Sequence, residues 1–140
     1  MGTCGTYGPW LSIGDLICAS EVISISLDTI EHRAFRPLIE TTRWRATWPL
    51  TLPAHAVAAT PGITKGLEGV QRLSEIAAVE HLELSGVFAA CADADVPVAA
   101  ALAVANHVGP SAHEEWAANH AAVSTRLRAE LEARGVFDLS

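Results

Sequence analysis

The chain is poor in basic residues. Nine Lys and Arg stand against 16 Asp and Glu in 140 residues, giving a net charge of -7. No basic group is denser than the scattered Arg33, Arg36, Arg43 and Arg45. Binding nucleic acid or an anionic membrane requires a positive face, so neither is an expected partner. Long apolar runs are missing as well. The most apolar stretch, Val96 to Ala105, is too short for a bilayer, which takes about 20 residues. The opening MGTCGTYGPW has neither the positive start nor the apolar stretch of a secretory signal, and the cytoplasm is the expected location. Cysteine is scarce: Cys4, Cys18 and Cys91 are odd in number, far apart and without CxxC spacing. They read as reduced thiols rather than a disulfide framework or zinc cluster. His113 and His120 lie two helical turns apart, with His107 not far before them, but no HxxxH or HExxH pattern is present. No metal is expected.

What is present is apolar residue in quantity. Half of the chain is hydrophobic, enough for one domain over residues 1–140 that buries roughly two-thirds of its unfolded surface. Gly2, Gly5 and Gly8 suggest a mobile opening segment. The β-branched run that Ile13 opens and that ends near Leu27 reads as a strand entered through a turn. From Asp28 to Pro53 neither helical nor strand periodicity persists, and Pro37, Pro49 and Pro53 punctuate Trp44 and Trp48. Residues 28–53 are therefore an irregular excursion, whose tryptophans either pack back on the domain or cover a neighbour.

Beyond Pro53 the pattern is regular. Ala54 to Ala59 is an apolar run stopped by Thr60-Pro61-Gly62, and Ile63, Leu67, Val70 and Leu73 follow at helical spacing. Ala77-Ala78-Val79 reads as a brief strand, and Leu84, Val87, Phe88, Cys91 and Ala92 share a helix face. Val96 to Ala105 is apolar at every position, the mark of a parallel strand covered on both faces, with Pro97 near its start. After Gly109-Pro110-Ser111, a terminal amphipathic helix carries Trp116, His120, Val123, Leu127 and Leu131 toward Gly135. Alternating strands and helices define an α/β fold, in which binding residues collect at the carboxyl ends of strands.

Two such ends carry chemistry. Glu80, His81 and Glu83 follow the brief strand, and a carboxylate there can accept both hydroxyls of a ribose; equally, the two acids can simply charge the first turn of a helix. Asn106 and His107 end the most apolar strand. An Asn offers a donor and an acceptor to a planar heterocycle, or it satisfies the backbone of a loop.

The block VEHLELSGVFAACADADVPVAAALAVANHVGPSAHEEWAANH resembles the nucleoside phosphorylase and nucleosidase superfamily. That family has an acidic EME-like strand end, a helix, a VP step and a final strand closing in SD or SN. The opening GTCGTYGPWLSIGDLICASEV is similar to the family's G-S/T-x-G turn followed by a GD that leads into an apolar strand. Together the blocks span roughly residues 2–27 and 54–124.

The resemblance implies a three-layer α/β/α phosphorylase-like fold with a mixed, largely parallel central sheet. It is incomplete, since the family's first strands, a glycine loop and a phosphate-fixing Arg precede the G-S/T-x-G turn. Loss of those strands would expose an apolar sheet edge. The resemblance further implies cleavage of the N-glycosidic bond of a purine nucleoside, in nucleoside catabolism or salvage, and a trimer or hexamer of the chain.

Carried over residue by residue, Glu83 holds the ribose 2′- and 3′-hydroxyls and Asn106 contacts N7 of the departing base, an Asn being similar to the branch that acts on 6-oxopurines. Glu80 matches the earlier acid of the EME-like motif, although His81 and Leu82 stand where the family commonly has one residue. Thr3, with the backbone of Gly2 and Gly5, matches the turn that touches phosphate. No cofactor is implied; phosphate is co-substrate if the bond is broken by phosphorolysis, and water if by hydrolysis, with Glu80 as the carboxylate to activate it. The alternatives are a non-catalytic nucleoside-binding or assembly module and an inactive fragment of such an enzyme.

Overall fold

A computed structural model describes residues 1–38 and 40–138. Its elements run β1 (Gly2–Thr6), β2 (Leu16–Ser24), α1 (Leu27–Ile30), β3 (Arg43–Arg45), β4 (Ala54–Ala59), α2 (Leu67–Ser74), β5 (Val79–Glu80), α3 (Leu84–Asp93), β6 (Ala101–His107) and α4 (Ala112–Ala133). The six strands form one mixed sheet in the order β3-β2-β4-β5-β1-β6. Three pairings are parallel, β1 with β6, β2 with β4 and β4 with β5. Three are antiparallel, β1 with β5, β2 with β3 and β2 with β6. The β2–β6 pairing joins the strand order back on itself, so β2, β4, β5, β1 and β6 close a ring and β3 lies outside on β2.

Strand β6 shows why the sequence builds layers. Its residues alternate between two cores, as a pleated strand dictates. Leu102 and Val104 join Phe88 and Leu84 of α3 with Ile17, Val22, Val57 and Val79. Ala101, Ala103 and Ala105 face the other way, against Val123, Leu127 and Leu131 of α4. The alanines let the 22-residue helix α4 lie close on the sheet, while the larger Leu and Val fill the space inside the ring. Asp95, at φ 53°, turns the chain after α3, and Gly135, at φ 68°, follows the end of α4, where a left-handed residue is usual. A third cluster packs α2 through Leu73 against Tyr7, Ala58 and Val108.

Several sequence expectations change. Gly2 to Thr6 is no mobile segment: it is paired with β6 along its length and with β5 at Gly5 and Thr6. The strand expected from Val96 starts at Ala101. Pro97 has no N–H for a ladder, and Val98 is instead tied to the preceding loop, its carbonyl accepting from Thr47 N at 2.8 Å and Trp48 N at 3.0 Å. The far end of the strand falls where expected, at Asn106 and His107, which pair with Gly5 and Thr6. The excursion holds the short helix α1 and strand β3, whose Trp44 packs against the ring core; Ile39 lies outside the described residues. Ile63 precedes α2 rather than opening it. Among the described residues no helix is long and apolar enough to cross a membrane, and no three His, Cys, Asp or Glu side chains converge as a metal site.

Candidate active site

Gly5 sits between the two strand ends that the sequence singles out. It is the register partner of Glu80 on β5 and of Asn106 on β6. Residues directly opposite one another in a sheet project to the same face, so Glu80 and Asn106 flank a position with no side chain. A Cβ there would come within 2.7 Å of Asn106 Nδ2 and 2.8 Å of Val108 Cγ2. Glycine at this position makes room; mobility is not its use.

That room opens into a cavity of about 390 Å³ lined by Thr3, Cys4, Gly5, Ile63, Glu80, His81, Leu82, Glu83, Asn106, Val108, Ala112, His113 and Trp116. The volume falls in the roughly 300–1,000 Å³ of small-ligand sites. Five of the six residues marked from sequence, Thr3, Gly5, Glu80, Glu83 and Asn106, line it. Gly2 does not, but it borders His81: a Cβ at Gly2 would lie 3.2 Å from His81 Nε2.

The two carboxylates differ in kind. Glu80 is buried and anchored: Oε2 accepts from Tyr7 Oη at 2.8 Å and Thr64 Oγ1 at 2.6 Å, and Oε1 accepts from Thr64 N at 3.1 Å. Burial, together with the adjacent Glu80 charge and hydrogen bond, pushes the Tyr7 phenol far above its ordinary value, so it stays a donor. Glu83 is exposed at the start of α3, as its N-cap, and makes no side-chain capping bond. Helix-end charge is thus not all that these acids supply, since Glu80 is committed to β5 and its surroundings.

At the other strand end, Asn106 Nδ2 donates to the His107 carbonyl at 3.0 Å. The Glu115 carboxylate, from the first turn of α4, holds His107 through its backbone N at 2.6 Å and Nδ1 at 3.1 Å. Trp116 Nε1 donates to Thr3 Oγ1 at 3.2 Å and its ring stacks on His120 at 4.3 Å. Burial pushes the Cys4 thiol up to about 12, which makes it a wall of the cavity and not a nucleophile.

Tyr7, Thr64, Glu115 and Trp116 were not marked from the sequence as site residues. Tyr7 and Glu80 are 73 positions apart, and Trp116 read as an ordinary helix-face residue. The only local signal was that Glu115 and Trp116 open the helix that follows the Gly109-Pro110 turn.

No protein-family model and no characterised relative matches the chain by sequence. Solved structures do match. Futalosine hydrolase of Helicobacter pylori is similar at 16% identity and a TM-score of 0.71, over 95% of this chain and 66% of that one. The 5′-methylthioadenosine/S-adenosyl homocysteine nucleosidase of the same organism, complexed with a substituted pyrrolidin-3-ol, matches at 15% identity and a TM-score of 0.71, over 95% and 66%. The corresponding nucleosidase from Colwellia psychrerythraea, in complex with adenine, matches at 13% identity and a TM-score of 0.67, over 93% and 65%. The chain shares the mixed α/β fold of these structures. It spans about two thirds of the length of these nucleosidase structures.

Proposed function

We propose that the chain hydrolyses the N-glycosidic bond of a purine nucleoside. The observation that carries this reading is the convergence on one cavity of Thr3, Gly5, Glu80, Glu83 and Asn106, drawn from three separate stretches of the sequence. Cleavage proceeds through an oxocarbenium-like state with positive charge at the sugar and negative charge on the departing base. Glu83 accepts hydrogen bonds from the ribose hydroxyls, and both carboxylates favour the developing cation. The C1′–N9 electron pair leaves with the base, where Asn106 meets the charge near N7. Water forms the new C1′–O bond, and its proton passes to Glu80 through the lone pair left on Oε1, which accepts a single bond. No cofactor enters these steps.

Water rather than phosphate fits the lining as nucleophile. Two Glu side chains face the cavity and no Lys or Arg lines it among the described residues; a phosphate dianion beside two carboxylates costs Coulomb energy that nothing in the lining offsets.

The Asn106 amide also favours one class of base. Its Nδ2 donates to the His107 carbonyl, and turning the amide over would set two acceptor oxygens against each other. The orientation leaves Oδ1 and one N–H for a ligand, the acceptor and donor that match the 6-amino group and N7 of adenine. A 6-aminopurine is therefore preferred to the 6-oxopurine that Asn alone suggests by resemblance.

The second reading, a nucleoside-binding module without turnover, is favoured by the anchoring of Glu80, because its two oxygens already accept from three donors of the protein. Titration of the chain with adenosine, inosine and guanosine, each with and without phosphate, followed by an assay for free base, separates the readings. Hydrolysis predicts binding strongest for adenosine and base release that phosphate does not accelerate. Binding without release selects the module, and a folded chain that binds none of the three overturns both.

A further inference from the structure

His81 enters none of these steps, although it lines the cavity beside Glu83. Its Nδ1 accepts the backbone N–H of Glu83 at 3.2 Å. A neutral imidazole that accepts at one nitrogen carries its proton on the other, so the free group is Nε2–H. Burial lowers the His81 pKa and keeps this neutral form in place at neutral pH, against the nearby Glu83 charge that raises it. Nε2 makes no hydrogen bond among the described residues and is not sealed from solvent. It lies over Gly2, where any side chain would crowd it, at 3.2 Å from a Cβ. The result is an open donor in a cavity lined by two carboxylates, Glu80 and Glu83, that can only accept.

A sugar hydroxyl both donates and accepts. A cis-diol that donates to a carboxylate still has oxygen lone pairs to satisfy as the cavity excludes water. On the nucleoside reading above, we infer that His81 Nε2–H donates to the ribose diol that Glu83 accepts from. His81 and Glu83 are then a donor and acceptor pair, linked through the Glu83 N–H, that selects cis-diol ribosides over sugars lacking the diol. The His81-Leu82 pair, one residue more than the related motif carries, is what sets an imidazole in this place.

The test is calorimetric titration of the full chain and its variants with adenosine and with 2′,3′-dideoxyadenosine. Wild type is expected to prefer adenosine. His81→Ala weakens adenosine binding by roughly 3- to 10-fold, the worth of one neutral hydrogen bond, and leaves dideoxyadenosine unchanged. His81→Gln, whose side-chain N–H can donate from a similar position, recovers part of the loss. If His81→Ala does not fold, His81→Phe removes the donor with a ring kept in its place and carries the same comparison. An unchanged ratio of the two affinities overturns the inference while leaving the nucleoside reading intact. Failure of wild type to bind either nucleoside removes that reading and this inference with it.

Discussion

The two strand ends that meet at Gly5 solve the same problem differently. At the β5 end the group nearest the strand, Glu80, is buried and held by Tyr7 and Thr64, while Glu83 three residues on is exposed with no side-chain partner among the described residues. At the β6 end a neutral amide is turned by its own loop, and the loop is fixed from α4 by Glu115. Rigidity at β5 thus comes from burying a charge among donors, and at β6 from a chain of short local bonds. A buried carboxylate that met fewer donors would carry a heavy desolvation cost, whereas an amide keeps its place with one bond. Each end therefore offers one fixed group, Glu80 or Asn106, and only the β5 end adds an arm free to move onto a ligand.

The sharpest way to break this contrast is to delete each carboxylate. Glu80→Ala strands Tyr7 Oη and the Thr64 donors and is expected to cost about 3 kcal/mol of stability, while Glu83→Ala stays within about 0.5 kcal/mol and instead weakens nucleoside binding. Urea unfolding of both variants beside nucleoside titration checks this, and equal destabilisation would end the distinction between anchored and free acid. Next in size is Gly5→Ala, which puts a methyl group against Asn106 and Val108 at 2.7 and 2.8 Å. A loss of about 1–3 kcal/mol is expected, with Asn106 displaced and activity lost beyond what stability explains. Gly62→Ala, with nothing within 4 Å of the new carbon, serves as its control and should keep activity.

The smallest effect is on pH dependence. His81 has its folded-state pKa lowered from 6.5, chiefly by burial, so below that pH the unfolded chain binds the proton more readily than the folded one. Its neutral state costs nothing above about pH 6.5, and stability falls as pH drops from there toward the lowered value. His81→Phe should flatten that part of the stability profile between pH 7.5 and 5.5, and an unchanged slope would show that His81 is not held neutral by the fold.

The helices were legible because burial leaves a period: Val123, Leu127 and Leu131 recur on α4 as an amphipathic face requires, and all three are buried. The two strand ends were legible because residues 80–83 and 106 interrupt apolar runs just before helices. The strand at Val96 was misjudged because apolar composition does not say which backbone supplies the partner, and Thr47 and Trp48 take Val98 out of the ladder. The glycines were misjudged for a related reason. A missing side chain reads locally as freedom, yet Gly2 and Gly5 are spaces whose shape belongs to His81 and Asn106.

By itself, then, the sequence determined the alternation of strands and helices and the candidates Thr3, Glu80, Glu83 and Asn106, since those follow from periodicity and from motifs that are local in the chain. Only the tertiary structure decided that Gly5 lies between Glu80 and Asn106, that Tyr7 and Thr64 anchor one acid while the other is free, and that His81 keeps an open donor beside it. Such facts rest on register and on contacts across as many as 113 positions, the separation of Trp116 and Thr3, and no local pattern encodes which residues a closed sheet brings face to face.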